Sequence, residues 1–454
     1  MKSVALHNLG CKVNGYELDV IQQKLQENGY KIVSFDECAD IYIINTCTVT
    51  NIADKKSRQM IHRAKKKNPA ALVVALGCYV QTGREEVLHD EAIDLAIGNN
   101  KKGELIPILD KYMACREEKS NHADFSKKTL YGETILDVSG SLPYEQMTLA
   151  RTADHTRASI KIQDGCNQFC SYCIIPYVRG RVRSRSRQDI IEEIYGLVKQ
   201  GYKEVVLTGI HISSYGTDQE TLGSWIPDGG PLLQLLESIH EMKGLERIRL
   251  GSLEPRIINP DIVKRMANLH KLCPHFHLSL QSGCDATLKR MNRHYTTGEY
   301  YEKVQMLREC YKDPAITTDI IVGFPGETPE EFMATYEFAE QISFYEMHVF
   351  KYSKREGTKA AAMTEQVRPE TKVSRSTRLI ELGEELSYRY RKQFLHTELE
   401  VLVEENKEVN GKIYQIGYTK EYVRTALPAD KNGKGSIVKV TADSFLQPDI
   451  LLAH

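Results

Sequence analysis

The sequence lacks the features that carry a chain into or across a membrane. It contains no run of about 18 apolar residues. Its first residues, MKSVALHNLGCKVN, have no long apolar segment of the kind found in signal peptides. We therefore expect no membrane partner and a cytoplasmic, reducing location. There, eleven cysteines are poor candidates for disulfides and better candidates for metal ligands or catalytic groups.

The sequence also lacks an excess of charge of either sign. Its 60 basic and 61 acidic residues leave a net charge of −1, so a polyanion would have to bind at a local basic patch. No internal repeat of about 20 to 50 residues occurs. At 454 residues the chain exceeds one ordinary domain, and we expect two or three.

The N-terminal part alternates short apolar runs with helical patterns. SVALHNLG, ADIYIINT and ALVVALG are typical of strands, and helical segments such as YELDVIQQKLQENG lie between them. This alternation predicts a Rossmann-like parallel α/β domain over residues 1–113. We interpret the polar stretch 114–150 as a linker.

The alternation resumes over residues 151–384. Six strand-like runs, from RASIKIQ to YEMHVFKY, alternate with helical patterns. Six βα units predict a partial (β/α)6 barrel, because the full form has eight. Over residues 385–454, short β patterns separated by Gly and Asn predict a small antiparallel β-barrel.

Three cysteines stand close together in DGCNQFCSYC, directly after the strand RASIKIQ. Cys166, Cys170 and Cys173 have the spacing C-x3-C-x2-C, with no fourth ligand beside them. A structural zinc site normally closes four ligands, so a zinc knuckle would need a distant fourth. Three thiolates instead hold three irons of a cubane cluster and leave the fourth iron open for chemistry. The spacing therefore favours an open 4Fe-4S cluster.

Three other cysteines share a position rather than a local spacing. Cys11, Cys47 and Cys78 each follow a predicted strand of the N-terminal domain. Ligands of open α/β sheets bind at the carboxyl ends of the strands. If the three strands are neighbours, about 4.8 Å apart, the thiols converge on one edge. This arrangement predicts a second cluster, although three core cysteines are the alternative.

CNQFCSYC ahead of repeated βα units resembles the radical S-adenosylmethionine superfamily. GCKVNGYELD, NTCTVT and ALGCYVQ are similar to segments of its methylthiotransferase family, as are SLEP (252–255), LSLQSGCDATLKRMNRHYT (278–296) and TTDIIVGFPGET (317–328). The resemblance extends over nearly the whole chain. It implies a C-terminal TRAM domain, two 4Fe-4S clusters, and S-adenosylmethionine as radical source and methyl donor.

The carboxyl ends of the barrel strands carry polar residues, where the ligand-binding groups of such barrels lie. The resemblance implies that they bind the amino-acid and ribose parts of S-adenosylmethionine, and Arg293 could pair with its carboxylate. Turn or cap roles are the alternative for Ser252 and Asp319. We leave the role of His211 open and assign no catalytic residue beyond the two clusters. The cofactor-binding candidates are Gly209, Ser252, Glu254, Ser279, Gln281, Arg293 and Asp319.

The stretch RGRVRSRSR at 179–187 has arginine at every second position. In an extended conformation these side chains share one face and could grip phosphates. The alternative is a solvated loop, or pairing with the protein's own acids. Tyrosines of the terminal barrel could stack on RNA bases. The RNA-binding candidates are Arg179, Arg181, Arg183, Arg185, Arg187, Tyr414, Tyr418 and Tyr422.

The resemblance is compatible with three branches of the family, which differ in their substrates. LGCKVNGYE and LTGIHISSYG are most similar to the branch that acts on tRNA carrying N6-threonylcarbamoyladenosine beside the anticodon. The other branches act on isopentenyladenosine in tRNA and on a ribosomal protein. The expected partners are tRNA and an electron donor such as flavodoxin or ferredoxin. A non-catalytic iron–sulfur RNA-binding redox sensor, and a radical enzyme without sulfur insertion, remain alternatives.

Overall fold

The computed structural model describes residues 2–118, 133–151, 156–220, 230–429 and 433–454. These residues form an N-terminal α/β domain, a central partial barrel and a C-terminal β-barrel. In this described part, each helix is too short or too polar to cross a membrane. All eleven cysteines are free thiols.

In the described residues, the N-terminal domain contains five strands and five α-helices. Its strands are β1 (Ser3–Asn8), β2 (Lys31–Val33), β3 (Ile41–Thr46), β4 (Leu72–Gly77) and β5 (Leu95–Ile97). Its helices are α1 (Lys12–Glu27), α2 (Asn51–Lys67), α3 (Cys78–Thr82), α4 (Arg84–His89) and α5 (Leu105–Glu118).

The five strands form one parallel sheet in the order β2-β1-β3-β4-β5. This is a doubly wound order, so the predicted Rossmann-like domain is confirmed. Strands β3 and β4 are buried along their whole length because helices cover both faces of the sheet.

The stretch interpreted as a linker is packed where it is described. Met147 and Leu149 are buried in the core between the sheet and helices α1 and α5. The Tyr144 hydroxyl donates to the Lys161 carbonyl oxygen at 2.9 Å. Residues 133–151 therefore join the N-terminal and central domains as a packed segment rather than a loose connection.

The central domain alternates strands and helices. Its strands are β6 (Arg157–Lys161), β7 (Gln163–Asp164), β8 (Arg183–Ser184), β9 (Glu204–Thr208), β10 (Arg247–Leu250), β11 (His275–His277), β12 (Ala315–Val322) and β13 (Glu346–Lys351). Its helices are α6 (Ile175–Val178), α7 (Arg187–Lys199), α8 (Thr217–Glu220), α9 (Gly230–His240), α10 (Pro260–Ala267), α11 (Asp285–Arg290), α12 (Thr297–Cys310), α13 (Pro329–Ile342) and α14 (Pro369–Lys392).

Six parallel strands follow one another around the barrel in the order β6-β9-β10-β11-β12-β13. They form two three-stranded sheets, β6-β9-β10 and β11-β12-β13. Parallel bridges from Ile248 to Leu272 and from Leu253 to Leu278 join the two sheets. Within the described residues β6 and β13 do not pair, so the barrel stays open on one side and the predicted (β/α)6 form is confirmed.

Strand alternation divides the central domain into a core and a lumen. Ala158 and Ile160 of β6 pack into the core under the helices. Arg157 and Ser159 point the other way because successive side chains of a strand alternate. Thr296 and Thr328 cap helices α12 and α13 with complete capping boxes, which explains where these two helices begin.

The C-terminal domain is a closed five-stranded barrel. Its strands are β14 (Glu398–Val409), β15 (Lys412–Tyr418), β16 (Arg424–Pro428), β17 (Ile437–Gln447) and β18 (Ile450–Ala453). The barrel is confirmed, but the pair β16–β18 is parallel, so it is not wholly antiparallel. Helix α14 runs through position 384, and the barrel itself begins only at Glu398.

The C-terminal barrel closes the amino end of the central barrel. Arg247 of β10 donates to the carbonyl oxygens of Tyr418 at 3.0 Å and Glu400 at 2.7 Å. Arg249 donates to the carbonyl oxygen of Lys420 at 2.9 Å. These arginines fix the C-terminal barrel as the floor of the lumen.

Candidate active site

The three N-terminal cysteines meet at the carboxyl edge of the first sheet. Strands β1, β3 and β4 are adjacent, which confirms the expectation that they are neighbours. Cys11 caps α1, Cys47 follows β3 directly, and Cys78 opens α3. Burial, and then the nearby thiols of Cys78 and Cys11, raise the pKa of Cys47 to about 11. A metal ion must displace the proton from such a thiol.

A tight turn delivers Cys78 to this edge. Gly77 has φ +99°, and a Cβ atom there would lie 2.7 Å from the Asn45 side-chain oxygen and 2.8 Å from the Thr46 carbonyl oxygen. Only glycine fits both the conformation and the space. The Asn99 amide then donates to the Cys78 sulfur at 3.6 Å and to the Val178 carbonyl oxygen at 2.7 Å. Asn99 thereby links this edge to the central domain.

The second cysteine set lies in the loop after β7. Gly165 has φ +71°, and a Cβ atom there would lie 1.8 Å from the Arg181 carbonyl oxygen, so the loop folds tightly onto the following segment. The Cys173 amide donates to the Cys170 carbonyl oxygen at 2.9 Å. Burial, followed by the neighbouring Cys170, raises the pKa of Cys166 to about 12. The pKa of Cys173 is also raised, by burial and then by the two other thiols.

Arg293 reaches the second set directly. Its Nη1 donates to the Cys170 sulfur at 3.4 Å, and its Nη2 donates to the Ser279 carbonyl oxygen at 3.2 Å. The Arg293 Nε donates to the Tyr295 hydroxyl at 3.0 Å. A hydrogen bond to a cluster sulfur tunes reduction potential. Pairing of Arg293 with the cofactor carboxylate remains a prediction, whereas its contact with Cys170 is a role that the sequence did not suggest.

The other cofactor-binding candidates lie on the strand ends around this loop. A Cβ atom on Gly209 would lie 2.9 Å from the Gln163 side-chain oxygen, so only backbone fits there. Glu254 is buried and accepts from the Arg256 Nε at 2.7 Å. Gln281 has φ +71°, and its amide donates to the Asp319 carbonyl oxygen at 2.9 Å. Ser252 is exposed, and Ser279 is half-buried.

His211 belongs to this wall of the site. Its Nδ1 lies 2.7 Å from the Ser214 hydroxyl, and its backbone amide donates to Gln163 at 2.7 Å. Burial, then the charges of Arg293 and Arg256, lower the pKa of His211 to about 3. The ring is therefore neutral at physiological pH. Its Nε2 is buried without a hydrogen-bond partner in the described part of the chain, as expected of a group that faces a ligand.

Asp319 lies beside two imidazoles that the sequence analysis missed. Its carboxylate is 3.4 Å from the His277 Nε2, and the His277 and His348 rings stack 5.9 Å apart. One ligand-type atom from each residue lies within 4.8 Å of the others. The signal for them was the period-two alternation of β11 and β13, which turns these residues into the lumen.

A buried ionic network joins the two cysteine sets. The Glu17 carboxylate of α1 forms ion pairs with Lys161 at 2.8 Å and with Arg179 at 3.0 Å. Arg179 also contacts Asp164, two residues before Cys166, at 3.0 Å. Burial opposes ionisation of Glu17, yet Arg179 and then Lys102 hold the pKa of its carboxyl well below its usual range. The network therefore fixes one domain against the other in a charged state.

The Cys47 loop is also tied to the central domain. The guanidinium of Arg355, which follows β13, lies 2.7 Å from the Asp54 carboxylate. It also donates to the Asn51 side chain at 2.6 Å and to the Thr48 hydroxyl at 2.6 Å. Both ends of the N-terminal cysteine edge are therefore anchored to the central domain.

The predicted row of RNA-binding arginines does not form one exposed face. Arg179, Arg183 and Arg185 are buried and form ion pairs with Asp164 or Glu193. Their predicted contact with RNA phosphates is wrong, because the segment is covered by packed protein and their charges are already paired. Arg181 and Arg187 are exposed and remain candidates.

The candidate tyrosines of the C-terminal barrel lie in two different environments. Tyr418 and Tyr422 stack on each other at 4.7 Å, and the guanidinium of Arg157 lies 5.1 Å and 4.9 Å from their rings. Both tyrosines therefore pack at the interface with the central domain. This packing contradicts their predicted stacking on RNA bases. Tyr414 is half-buried outside this stack and remains one.

Comparisons with known proteins agree with this architecture. The Radical SAM superfamily matches residues 160–339, and the Uncharacterized protein family UPF0004 matches residues 3–98. The radical S-adenosylmethionine methyltransferase TsrM from Kitasatospora setae superposes with a TM-score of 0.56 at 15% identity, over 79% of this chain and 77% of that one. The fold and the cysteine loop thus define a radical S-adenosylmethionine enzyme.

Relatives that match over most of their length identify the family within this superfamily. The threonylcarbamoyladenosine tRNA methylthiotransferase MtaB of Bacillus subtilis is 40% identical over 97% of this chain and 93% of its own length. The MtaB protein of Aquifex aeolicus is 39% identical over 89% and 93%. A tRNA-2-methylthio-N(6)-dimethylallyladenosine synthase of Caldicellulosiruptor saccharolyticus is 36% identical over 89% and 82%. The chain belongs to the methylthiotransferase family of radical S-adenosylmethionine enzymes.

The residues of this chain fit the cofactors of that family, which are S-adenosylmethionine and two 4Fe-4S clusters. Each cysteine set offers three thiols, the number that leaves one iron open. The unpaired Nε2 of His211 and the absence of room for a side chain at Gly209 are features of a surface that a ligand approaches closely.

Proposed function

We propose that this enzyme converts N6-threonylcarbamoyladenosine, beside the anticodon of tRNA, to its 2-methylthio derivative. The observation that carries the proposal is the linkage of two three-cysteine sets across one domain boundary. Asn99 spans from the Cys78 sulfur to the Val178 carbonyl oxygen, just after the second set. Two such sets suit a reaction that needs both a radical and a sulfur atom at one carbon.

The target carbon explains this requirement. A carbon–hydrogen bond on the adenine ring has no useful acidity, so a base cannot activate it. When bound, the cluster held by Cys166, Cys170 and Cys173 would supply the electron that cleaves S-adenosylmethionine. The cluster held by Cys11, Cys47 and Cys78 would supply the sulfur atom. Reductive cleavage implies an electron donor such as flavodoxin or ferredoxin, and the tRNA substrate and reduced thiols imply the cytoplasm.

The protein's own groups hold this arrangement in place. Arg293 donates to the Cys170 sulfur, and Asn99 donates to the Cys78 sulfur, so each set accepts a hydrogen bond from a side chain. Neutral His211 can accept or donate one hydrogen bond at its Nε2 without adding charge beside Arg293. The Glu17–Arg179–Asp164 network keeps the two walls at a constant separation.

The choice of substrate rests on similarity. Two relatives named for threonylcarbamoyladenosine reach 40% and 39% identity, above the 36% of a relative named for dimethylallyladenosine. Exposed Arg181 and Arg187, together with Tyr414, remain the proposed contacts with RNA, and the closed C-terminal barrel is proposed to be a TRAM domain.

The first experiment is anaerobic reconstitution followed by iron counting. We expect about eight irons per wild-type chain and about four in a variant with Cys11, Cys47 and Cys78 all changed to Ala. The matched control changes the exposed Cys38 and Cys310 to Ala and should retain about eight. About four irons in both the wild type and the triple variant would leave a radical enzyme without sulfur insertion.

The second experiment identifies the product. The reconstituted enzyme receives reductant, S-adenosylmethionine and tRNA that carries N6-threonylcarbamoyladenosine, and the digested nucleosides are analysed by mass spectrometry. We expect the 2-methylthio nucleoside from the wild type and none from the triple variant. Product only from tRNA carrying isopentenyladenosine would move the enzyme to that branch. Absence of S-adenosylmethionine cleavage would favour a redox sensor.

A further inference from the structure

A cavity of about 380 Å³ lies where the three domains meet. Cys11 and Lys12 line it from the N-terminal domain, Arg157 and Arg249 from the lumen of the central barrel, and Tyr422 from the C-terminal barrel. The volume is in the range of small-ligand pockets. None of the candidate S-adenosylmethionine-binding residues lines it, whereas Cys11 of the N-terminal cysteine set does, so the cavity opens beside that set.

The two arginines of this cavity are held in place and paired. Arg157 forms a two-pronged ion pair with Glu404, at 2.5 Å and 3.2 Å. Arg249 donates to Glu204 at 2.8 Å. Both guanidinium groups lie over the Tyr422 ring, at 4.9 Å and 4.7 Å. These contacts give the cavity a rigid wall in which both guanidinium charges are already paired with carboxylates.

Lys12 is different because its charge has no partner among the residues that the structure describes. In the described residues its exposed ammonium group forms no hydrogen bond and no ion pair, although the carboxylates of Asp19 and Glu404 line the same cavity. An unpaired cation held near two others favours an anion that enters from outside. The position directly after Cys11 places this cation next to the thiols that would hold the sulfur-supplying cluster.

The proposed substrate carries such an anion. Threonylcarbamoyladenosine has a carboxylate on the group attached to its N6 atom, whereas isopentenyladenosine has only hydrocarbon there. We propose that Lys12 binds this carboxylate in the cavity and thereby selects an anionic adenosine modification over an apolar one. The inference rests on the proposed function and adds the residue that reads the substrate.

Physical chemistry favours this selection in both directions. A charged hydrogen bond between Lys12 and the carboxylate would strengthen binding by about tenfold to a hundredfold. An isopentenyl group would instead cover the unpaired ammonium and gain nothing that offsets its lost hydration. Rejection of the uncharged group therefore needs no steric clash.

The test compares anticodon stem-loops that differ in one group. Four RNAs of the same sequence carry adenosine, isopentenyladenosine, threonylcarbamoyladenosine or its methyl ester, in which the carboxylate is neutral. Binding to the reconstituted enzyme is measured by fluorescence anisotropy under anaerobic conditions. We expect the wild type to bind the acid about ten to a hundred times more tightly than the ester. We expect Lys12→Met to abolish this difference and Lys12→Arg to keep it.

The controls separate the possible failures. Lys31→Met removes an exposed lysine of the same domain that does not line the cavity, and it should keep the preference for the acid. Equal binding of acid and ester by the wild type, or an unchanged preference in Lys12→Met, would overturn the inference. Either result leaves the proposed function standing if the 2-methylthio product still forms, whereas absence of product from the wild type refutes the proposed function itself.

A measurement on the wild type alone covers the case in which a Lys12 variant fails to hold iron. Lysines are acetylated with a water-soluble reagent, and the extent at Lys12 is read by mass spectrometry. We expect the acid stem-loop to protect Lys12 and the ester to protect it less. Equal protection by both RNAs, or protection by sodium sulfide alone, would overturn the inference and, in the second case, assign the cavity to a sulfur anion.

Discussion

Arg179 and Glu17 form an ion pair of 3.0 Å, Nη1 to Oε1, across the boundary between the central and N-terminal domains. Both side chains are buried. Arg179 belongs to the segment after the second cysteine set, and Glu17 lies six residues after Cys11. The pair therefore helps to fix the positions of the two cysteine sets relative to each other.

Removal of this arginine should destabilise the protein. Arg179→Met leaves Glu17 and Asp164 buried with fewer partners, and breaking a buried pair costs about 3–5 kcal/mol. We expect a clearly lower urea midpoint for the metal-free chain, measured by circular dichroism. The exposed neighbour Arg181→Met is the control and should change stability by less than about 0.5 kcal/mol. Equal midpoints for the two variants would show that the pair contributes little.

Arg293 should control the electron chemistry of the second cysteine set. Arg293→Gln removes the hydrogen bond to the Cys170 sulfur, and such bonds are one determinant of cluster potential. We expect a more negative potential and S-adenosylmethionine cleavage about tenfold to a hundredfold slower. Redox titration followed by electron paramagnetic resonance, at unchanged iron content, measures the potential. The exposed Arg265→Gln serves as the control, and an unshifted potential would contradict the assignment.

Arg355 should couple the two cysteine sets. Arg355→Ala removes the contacts to Thr48, Asn51 and Asp54 that hold the Cys47 loop against the central domain. Precise positioning contributes strongly to rate, so we expect about tenfold less methylthio product per S-adenosylmethionine cleaved. Hydrogen exchange should rise in residues 47–54. Unchanged exchange and unchanged product yield would show that the contact does not position the loop.

His211 should make the protein less stable in acid. Its folded-state pKa of about 3 lies below the usual value of about 6.5. Between these values the unfolded chain binds a proton that the folded protein does not, so stability falls by about 1.4 kcal/mol per pH unit as pH decreases. His211→Asn should lose this slope. Urea unfolding at several pH values between 7 and 4 measures it, with the exposed His89→Asn as control.

That experiment also has a clear contrary outcome. Parallel stability curves for the wild type and His211→Asn would mean that the imidazole is hydrated and titrates normally in the folded protein. The unpaired Nε2 would then face solvent rather than the cofactor, and His211 would leave the proposed site.

The cysteine sets were predictable from sequence because their signals are local. Cys166, Cys170 and Cys173 lie within one loop, and Cys11, Cys47 and Cys78 each follow an apolar run. The apolar run before each of these three cysteines predicts a strand, and the sheet order β1-β3-β4 places the three strand ends at one edge. Their roles as ligands stay a prediction until iron is counted.

The arginine row shows where local reasoning fails. Alternating arginines do share a face when the chain is extended, but what covers that face depends on distant segments. Glu17 lies 162 positions from Arg179 in the chain, and no pattern near either residue indicates their contact. Lys12 illustrates the converse, since only the assembled cavity shows that its charge has no partner within the described part of the chain.

The sequence alone determined the order of domains, the two cysteine sets and the partial barrel, because periodicity and spacing are properties of neighbouring residues. Only the tertiary structure decided which charges are buried in ion pairs between domains, which tyrosines pack at a domain interface, and which cation faces an open cavity. The reason is that pairing and burial arise between residues far apart in the chain, and their energies depend on three-dimensional proximity and on exclusion of water.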